Sequence, residues 1–176
     1  MKPIREPARN NQQTYFVTSQ TWQRRTLFQQ PQYAQLLVQT LFHYRGSAYQ
    51  LHEFVIMPDH FHVLMTPVTS LERAVQFIKG GFSYRAKADL GSKAEIWQRS
   101  FTDHRIRNAE DYAKHVHYIH FNPVRRRLCV SPKEYACGSG SSLFELDPAP
   151  QWLKPEPLTN RDGTAKAVPL QRSGDP

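Results

Sequence analysis

Two groups of residues in this chain have the types and the spacing to do chemistry. The first is His60-Phe61-His62. On a β-strand, residues i and i+2 project from the same face. Both imidazoles therefore point one way, while Phe61, Val63 and Met65 point the other. Two imidazoles at adjacent same-face positions can share one metal ion, and imidazole is the commonest transition-metal ligand. A hydrolytic zinc motif of the HxHxDH kind is not matched, because no Asp-His follows. An H-x-H triplet also arises by chance in polar strands. Asp59 precedes the pair and either orients an imidazole or serves the turn.

The second group lies in Tyr118-Ile119-His120-Phe121-Asn122-Pro123-Val124-Arg125. Tyr118 and Asn122 are i and i+4, so they share a helix face. Ile119 belongs instead to a buried stripe with Tyr112 and Val116. Lys114 and His115 lie one turn before Tyr118 on its face. A tyrosine can attack a phosphodiester if its proton is removed and the phosphate is polarised. Its pKa of ~10 makes it a poor nucleophile unaided. A divalent metal supplies the polarisation, and the Asn122 carboxamide oxygen could complete the metal shell. Taken alone, Tyr118 reads as a packing or surface residue and Asn122 as a helix end before proline.

The elements that must position these groups follow from local pattern. Tyr15 to Ser19 is aromatic and β-branched, a strand. Pro31 opens a helix carrying Tyr33, Leu36, Leu37, Leu41 and Tyr44 at helical spacing, and Gly46 ends it. Tyr49–Met57 and His60–Thr66 read as an antiparallel pair around Pro58-Asp59. A capping box from Thr69 to Glu72 starts a second helix, with Leu71, Ala74, Val75, Ile78 and Phe82 inward and Gly80-Gly81 weakening its middle. Trp97 to Ile106 reads as a fourth strand. Asn108 caps a third helix, which should end or bend at Asn122-Pro123.

This β-α-β-β-α-β order, followed by a helix, is the ferredoxin-like arrangement of an α+β domain. Strands one and three then lie in the middle of an antiparallel sheet. The first two helices cover one face, and the third helix packs on the other, beside the histidines. Three segments are expected: a basic arm over residues 1–13, a domain over 14–146 and a proline-rich tail over 147–176. The tail holds six of the 13 prolines, and its bulky apolar pair is Trp152-Leu153. Docking of that pair on the sheet face beside Tyr118 would compete with a ligand there.

The net charge of +8 and a pI near 9.7 point to a polyanionic partner. Residues 99–127 carry seven basic side chains against three acidic ones, with four of the eight histidines. No stretch approaches the ~18 apolar residues of a membrane span. The polar N-terminus lacks the pattern of a secretory leader. Cys129 and Cys137 form neither a metal pair nor a disulfide framework, so the cytoplasm is expected.

Together these residues resemble one family. His60-Phe61-His62 after Met57-Pro58-Asp59 looks like the histidine-hydrophobic-histidine motif of HUH nucleases. Tyr118 and Asn122 in YIHFNPVRR look like the tyrosine segment of single-tyrosine HUH transposases. MPDHFHVL, QFIKGGFSYR, IWQRSFTDHRI and YIHFNPVR, in that order, resemble the REP-associated tyrosine transposases. The resemblance covers roughly Tyr15 to Leu143. It implies an HUH fold with the catalytic tyrosine on a C-terminal helix and metal-dependent cleavage and rejoining of single-stranded DNA. Tyr118 would be the nucleophile, and His60, His62 and Asn122 would hold Mg²⁺ or Mn²⁺. The implied substrate is single-stranded DNA with repeated extragenic palindromic hairpins, handled by a monomer or a homodimer. Family members often carry glycine where this chain has Arg127.

Charge places further contacts. Arg99, Arg105, Arg107, Lys114, Arg125 and Arg126 are expected to neutralise DNA phosphates near the site. Lys79 and Arg85 on the second helix are further candidates, beside a Gly80-Gly81 backbone that DNA could approach closely. The alternative is a non-catalytic module of the same fold that binds single-stranded nucleic acid, which would not need His60 and His62 and would form no covalent adduct. A replication initiator with the same chemistry and a small-phosphate hydrolase are weaker fits to the length and the charge.

Overall fold

Alternation along one strand decides the architecture. In the computed structural model, which describes residues 13–153, β3 (His60–Pro67) pairs antiparallel with β1 (Tyr15–Gln20) and with β2 (Tyr49–Met57). β4 (Thr102–Arg105) pairs antiparallel with the other side of β1, giving the order β2-β3-β1-β4. This is the expected ferredoxin-like sheet, with β1 and β3 central. Three helices complete the domain: α1 (Pro31–Tyr44), α2 (Leu71–Leu90) and α3 (Ala109–Arg125). Residues 1–12 of the expected arm and 154–176 of the expected tail lie outside the described residues. Among the described residues, no helix is long and apolar enough to cross a membrane.

The two faces of the sheet bury different things. Val17, Phe61, Val63 and Met65 point to α1 and α2, where Leu37, Leu41, Val75, Ile78 and Phe82 complete a large apolar core. On the other face Val55, Met57, Leu64, Ile106 and Ile119 make a smaller cluster, flanked by Phe16, Tyr112, Val116 and Tyr135. α3 covers this second face, so its stripe of Tyr112, Val116 and Ile119 packs as expected. His60 and His62 are buried on the same side.

Four local expectations are corrected. The cap of α2 is Ser70, whose side chain accepts from the Arg73 N–H at 3.2 Å, not Thr69 of a Thr69–Glu72 box. Leu71 is buried and must be the first helical residue to reach the core, which moves the cap one place later. Gly81 does not open the backbone to DNA. A Cβ there would lie 2.5 Å from the Tyr44 ring, so this glycine lets α1 and α2 approach each other.

The fourth strand is only Thr102–Arg105: Trp97 makes an isolated antiparallel bridge with Thr21 while its indole enters the α1–α2 core and donates to the Lys79 carbonyl at 3.0 Å, and residues 98–101 interrupt the ladder between them. Finally, α3 runs through Pro123 to Arg125. The proline is buried, and the chain leaves the helix through Arg127 at φ +56. That left-handed turn is the conformation a glycine would adopt without strain.

The chain after Leu146 stays attached for some residues. Arg45 donates to both Asp147 carboxylate oxygens, at 3.0 and 3.1 Å, and the Leu51 N–H donates to Oδ2 at 2.7 Å. Trp152 then lines a cleft with Gln50, Thr66, Pro67 and Val68. That cleft is at the opposite end of β3 from His60, not beside Tyr118.

Candidate active site

The site is assembled by β3, β1 and α3. Thr18 on β1 stands opposite His62 in register, and its hydroxyl lies 2.7 Å from His62 Nδ1. Asp59, the last residue of the β2–β3 turn, places its carboxylate 2.6 Å from His60 Nδ1. Each ring is therefore gripped at Nδ1, and the two Nε2 atoms converge at 3.1 Å. Gripping one nitrogen of an imidazole fixes which nitrogen is offered to a ligand. Asp59 thus both closes the turn and orients an imidazole.

Burial keeps both rings neutral. It pushes His62 down to about 3, with further lowering from His60 and Arg126, and it lowers His60 despite the pull of Asp59. Asp59 itself stays ionised. Burial opposes this, but the His60 hydrogen bond and the Arg24 guanidinium, 3.0 Å away, outweigh it. Arg24 gave no signal in the sequence. It reaches Asp59 because Gln23 and Arg24 both take φ +54, turning the loop after β1 back toward the site.

α3 lays Tyr118 against this pair. Its ring meets His62 edge-on at 5.2 Å and Phe16 edge-on at 5.7 Å. Tyr118 is 37% exposed, so the ring is packed on one side and open to a substrate on the other. Asn122, one turn on, is buried. Two neutral imidazole nitrogens converging at 3.1 Å, with a carboxamide on the helix that carries Tyr118, are donor types that fit a divalent cation. Phe16, which the sequence did not single out, stacks on His62 at 5.1 Å and also leans on His115 at 4.7 Å.

The basic residues sort by position. The Arg125 guanidinium lies 5.5 Å over the Tyr118 ring, and the charge of Arg126 is felt by both His60 and His62. Lys114 is exposed and paired with Glu110 at 2.8 Å. Arg99, Arg105 and Arg107 are exposed around β4. Lys79 and Arg85 are on α2, across the sheet from Tyr118. The Lys79 ammonium donates to the Gln98 carbonyl at 2.6 Å, and Arg85 binds Gln39. The structure does not bring these two to the tyrosine.

The four histidines of the basic segment also part company. His120 pairs with Glu53 at 2.8 Å, and His117 stacks on Phe121 at 4.4 Å. His104 and His115 meet Asp111, forming a second group with metal-ligand chemistry that sequence spacing had not revealed. Its signal was present in the N-capped first turn of α3, but only the β4 pairing brings His104 to it.

Comparison with known proteins agrees with this geometry. The family described as Transposase IS200 like matches residues 10–122. The REP-associated tyrosine transposase of Escherichia coli (strain K12) is 32% identical over 115 residues, covering 64% of this chain and 67% of that one. A protein of Haemophilus influenzae is 31% identical over 96 residues, 48% of this chain and 54% of its own length. Among solved structures, a REP-associated tyrosine transposase bound to a REP hairpin superposes with a TM-score of 0.65 at 26% identity, covering 85% of this chain and 92% of that one. A buried histidine pair under a tyrosine helix, on a ferredoxin-like sheet and in a chain matched this far, places the protein in the IS200-like transposase family, among its REP-associated tyrosine transposases.

Proposed function

We propose that this chain cuts and rejoins single-stranded DNA through Tyr118. The observation that carries the reading is the edge-on contact of the Tyr118 ring with His62, whose Nε2 meets that of His60 at 3.1 Å. Tyr118 Oη, on losing its proton, attacks the scissile phosphorus. The new O–P bond keeps the 5′-phosphate on the protein. The P–O3′ bond breaks, its electron pair goes to O3′, and this oxygen leaves as a hydroxyl after taking up a proton. Rejoining is the reverse displacement by a 3′-hydroxyl.

His60, His62 and Asn122 would hold a divalent ion, Mg²⁺ or Mn²⁺, which supplies the charge that polarises the phosphate. The imidazole donors suit Mn²⁺ better than Mg²⁺, which prefers oxygen ligands. Asp59 and Thr18 keep the two rings aimed, and Arg24 keeps Asp59 charged. Arg125 and Arg126 neutralise phosphates beside the tyrosine, with Arg99, Arg105, Arg107 and Lys114 extending the basic track. The hairpin bound by the solved relative points to DNA hairpins of the repeated extragenic palindromic class as substrate. We place the reaction in the cytoplasm, a reading that a DNA substrate and two free cysteines support.

The test is a single-stranded oligonucleotide carrying such a hairpin, incubated with Mn²⁺ and resolved under denaturing conditions. The parent chain should form a covalent protein–DNA adduct, and Tyr118→Phe should form none while still binding the DNA. An adduct from Tyr118→Phe would move the nucleophile to another tyrosine, Tyr84 being the most exposed. Undiminished cleavage in EDTA would remove the metal from the reaction.

A further inference from the structure

His104, Asp111 and His115 take no part in the chemistry above, yet they converge. His104 projects from β4, Asp111 from the first turn of α3 and His115 from the next turn. His104 Nε2 lies 2.8 and 3.1 Å from the two Asp111 carboxylate oxygens. His115 Nδ1 lies 3.2 Å from Asp111 Oδ1 and 2.8 Å from the Asp111 carbonyl. The two rings stack at 4.7 Å with 20° between their planes. One ligand atom from each side chain falls within 4.8 Å of the others.

We propose that His104, Asp111 and His115 form a second metal site, taking a divalent transition ion of the Zn²⁺ class and bolting α3 to β4. Two imidazole nitrogens and one carboxylate oxygen are a donor set that such an ion accepts and that a hard ion such as Mg²⁺ does not favour. The outer contacts needed to hold the ligands are in place. The Arg107 N–H donates to Asp111 Oδ2 at 3.1 Å, Asn108 caps the Asp111 N–H at 2.9 Å, and Phe16 backs His115. Burial opposes ionisation of Asp111, but the His104 hydrogen bond and the Arg107 N–H hold its carboxyl below the usual range. The positive end of the α3 dipole disfavours a cation here, and the Asp111 charge offsets that. All three side chains are partly exposed, so an ion can enter.

The ion would sit three residues before Tyr118 on the same helix, at His115. Its role is to set where α3 lies, not to touch the scissile phosphate. If the three side chains are only a hydrogen-bonded clasp, no ion will bind them.

The experiment uses the full chain, without an affinity tag, carrying His60→Ala and His62→Ala, so that binding here is read apart from the proposed cleavage site. Co²⁺ is the probe. One equivalent should bind with the visible ligand-field bands of a nitrogen–oxygen site, and Zn²⁺ should displace it and raise the Tm. His104→Gln and His115→Gln should each weaken binding by at least about tenfold and abolish the Zn²⁺-dependent rise in Tm. Co²⁺ should also broaden the NMR ring signals of His104 and His115, a readout that leaves the ligands untouched if the glutamine variants fold poorly. No bound Co²⁺, binding that survives both substitutions, or ring signals unaffected by the ion would each overturn the site.

Discussion

The two faces of the sheet are built from the same four strands but to different rules. Under α1 and α2 every inward side chain of β1 and β3 except Ser19 is apolar, and the core is closed by Phe28, Phe82 and Trp97 in mutual ring contact. Under α3 the apolar cluster is small, and the remaining space is filled by His60, His62, Phe16 and Tyr118. One face stores stability. The other gives some of it up to keep two imidazoles neutral, buried and aimed. A stable fold and a reactive site are thereby placed back to back on β3, where residues one apart serve opposite purposes.

The largest effects should separate the faces cleanly. Phe82→Ala empties the α1–α2 core and should cost about 3–5 kcal/mol, measured by urea unfolding, with cleavage per folded molecule unchanged. His62→Ala should do the reverse, abolishing cleavage at a much smaller cost in stability. If His62→Ala instead unfolds the chain as badly as Phe82→Ala, the second face is a core like the first.

A smaller effect probes the close approach behind the first face. Gly81→Ala drives a methyl into the Tyr44 ring, which must move with α1, and should cost about 1–3 kcal/mol. Gly80→Ala meets nothing within 4 Å and should be neutral or slightly stabilising. Equal effects of the two would mean that the helices are not in contact at Gly81.

Acid should weaken the second face through His62. The folded His62 titrates at about 3, whereas an unfolded histidine titrates near 6.5. Between those values the unfolded chain binds the extra proton, so stability falls as pH drops below ~6.5. At pH 5 the loss from His62 is about 2 kcal/mol, read as the shift in urea midpoint from pH 7 in the presence of EDTA. His62→Gln should flatten that shift, and an unchanged slope would place the proton uptake elsewhere.

The smallest effect tests the exit from α3. Arg127→Gly relieves a left-handed backbone and should stabilise by ~1 kcal/mol, while removing one charge from the basic surface.

The sequence made the first face legible because burial there repeats at strand and helix periods. Leu71, Ala74, Val75, Ile78 and Phe82 were found that way, and all are buried. The H-x-H alternation and the Tyr118–Asn122 spacing likewise placed the histidines and tyrosine on the second face. What stayed hidden depends on contacts between distant segments. Thr18 serves His62 across 44 residues, and Arg24 serves Asp59 across 35. Neither has a local pattern. The run from Trp97 to Ile106 reads as one strand, and Trp97 does bridge Thr21, but the break over residues 98–101 has no local pattern. The charge of Lys79 is visible in the sequence, while the Gln98 carbonyl to which it donates is not.

Phe16 carries a last consequence, for anyone who tries to redesign this protein. One ring touches His62, His115 and Tyr118. Any substitution there perturbs three neighbours at once, so the effects of changes at those neighbours will not add once Phe16 is altered. Variants selected singly at His115 or around Tyr118 will give misleading forecasts for their combinations. Epistasis at this site is best mapped outward from Phe16, by double-mutant cycles against each of the three partners, before any attempt to move the tyrosine.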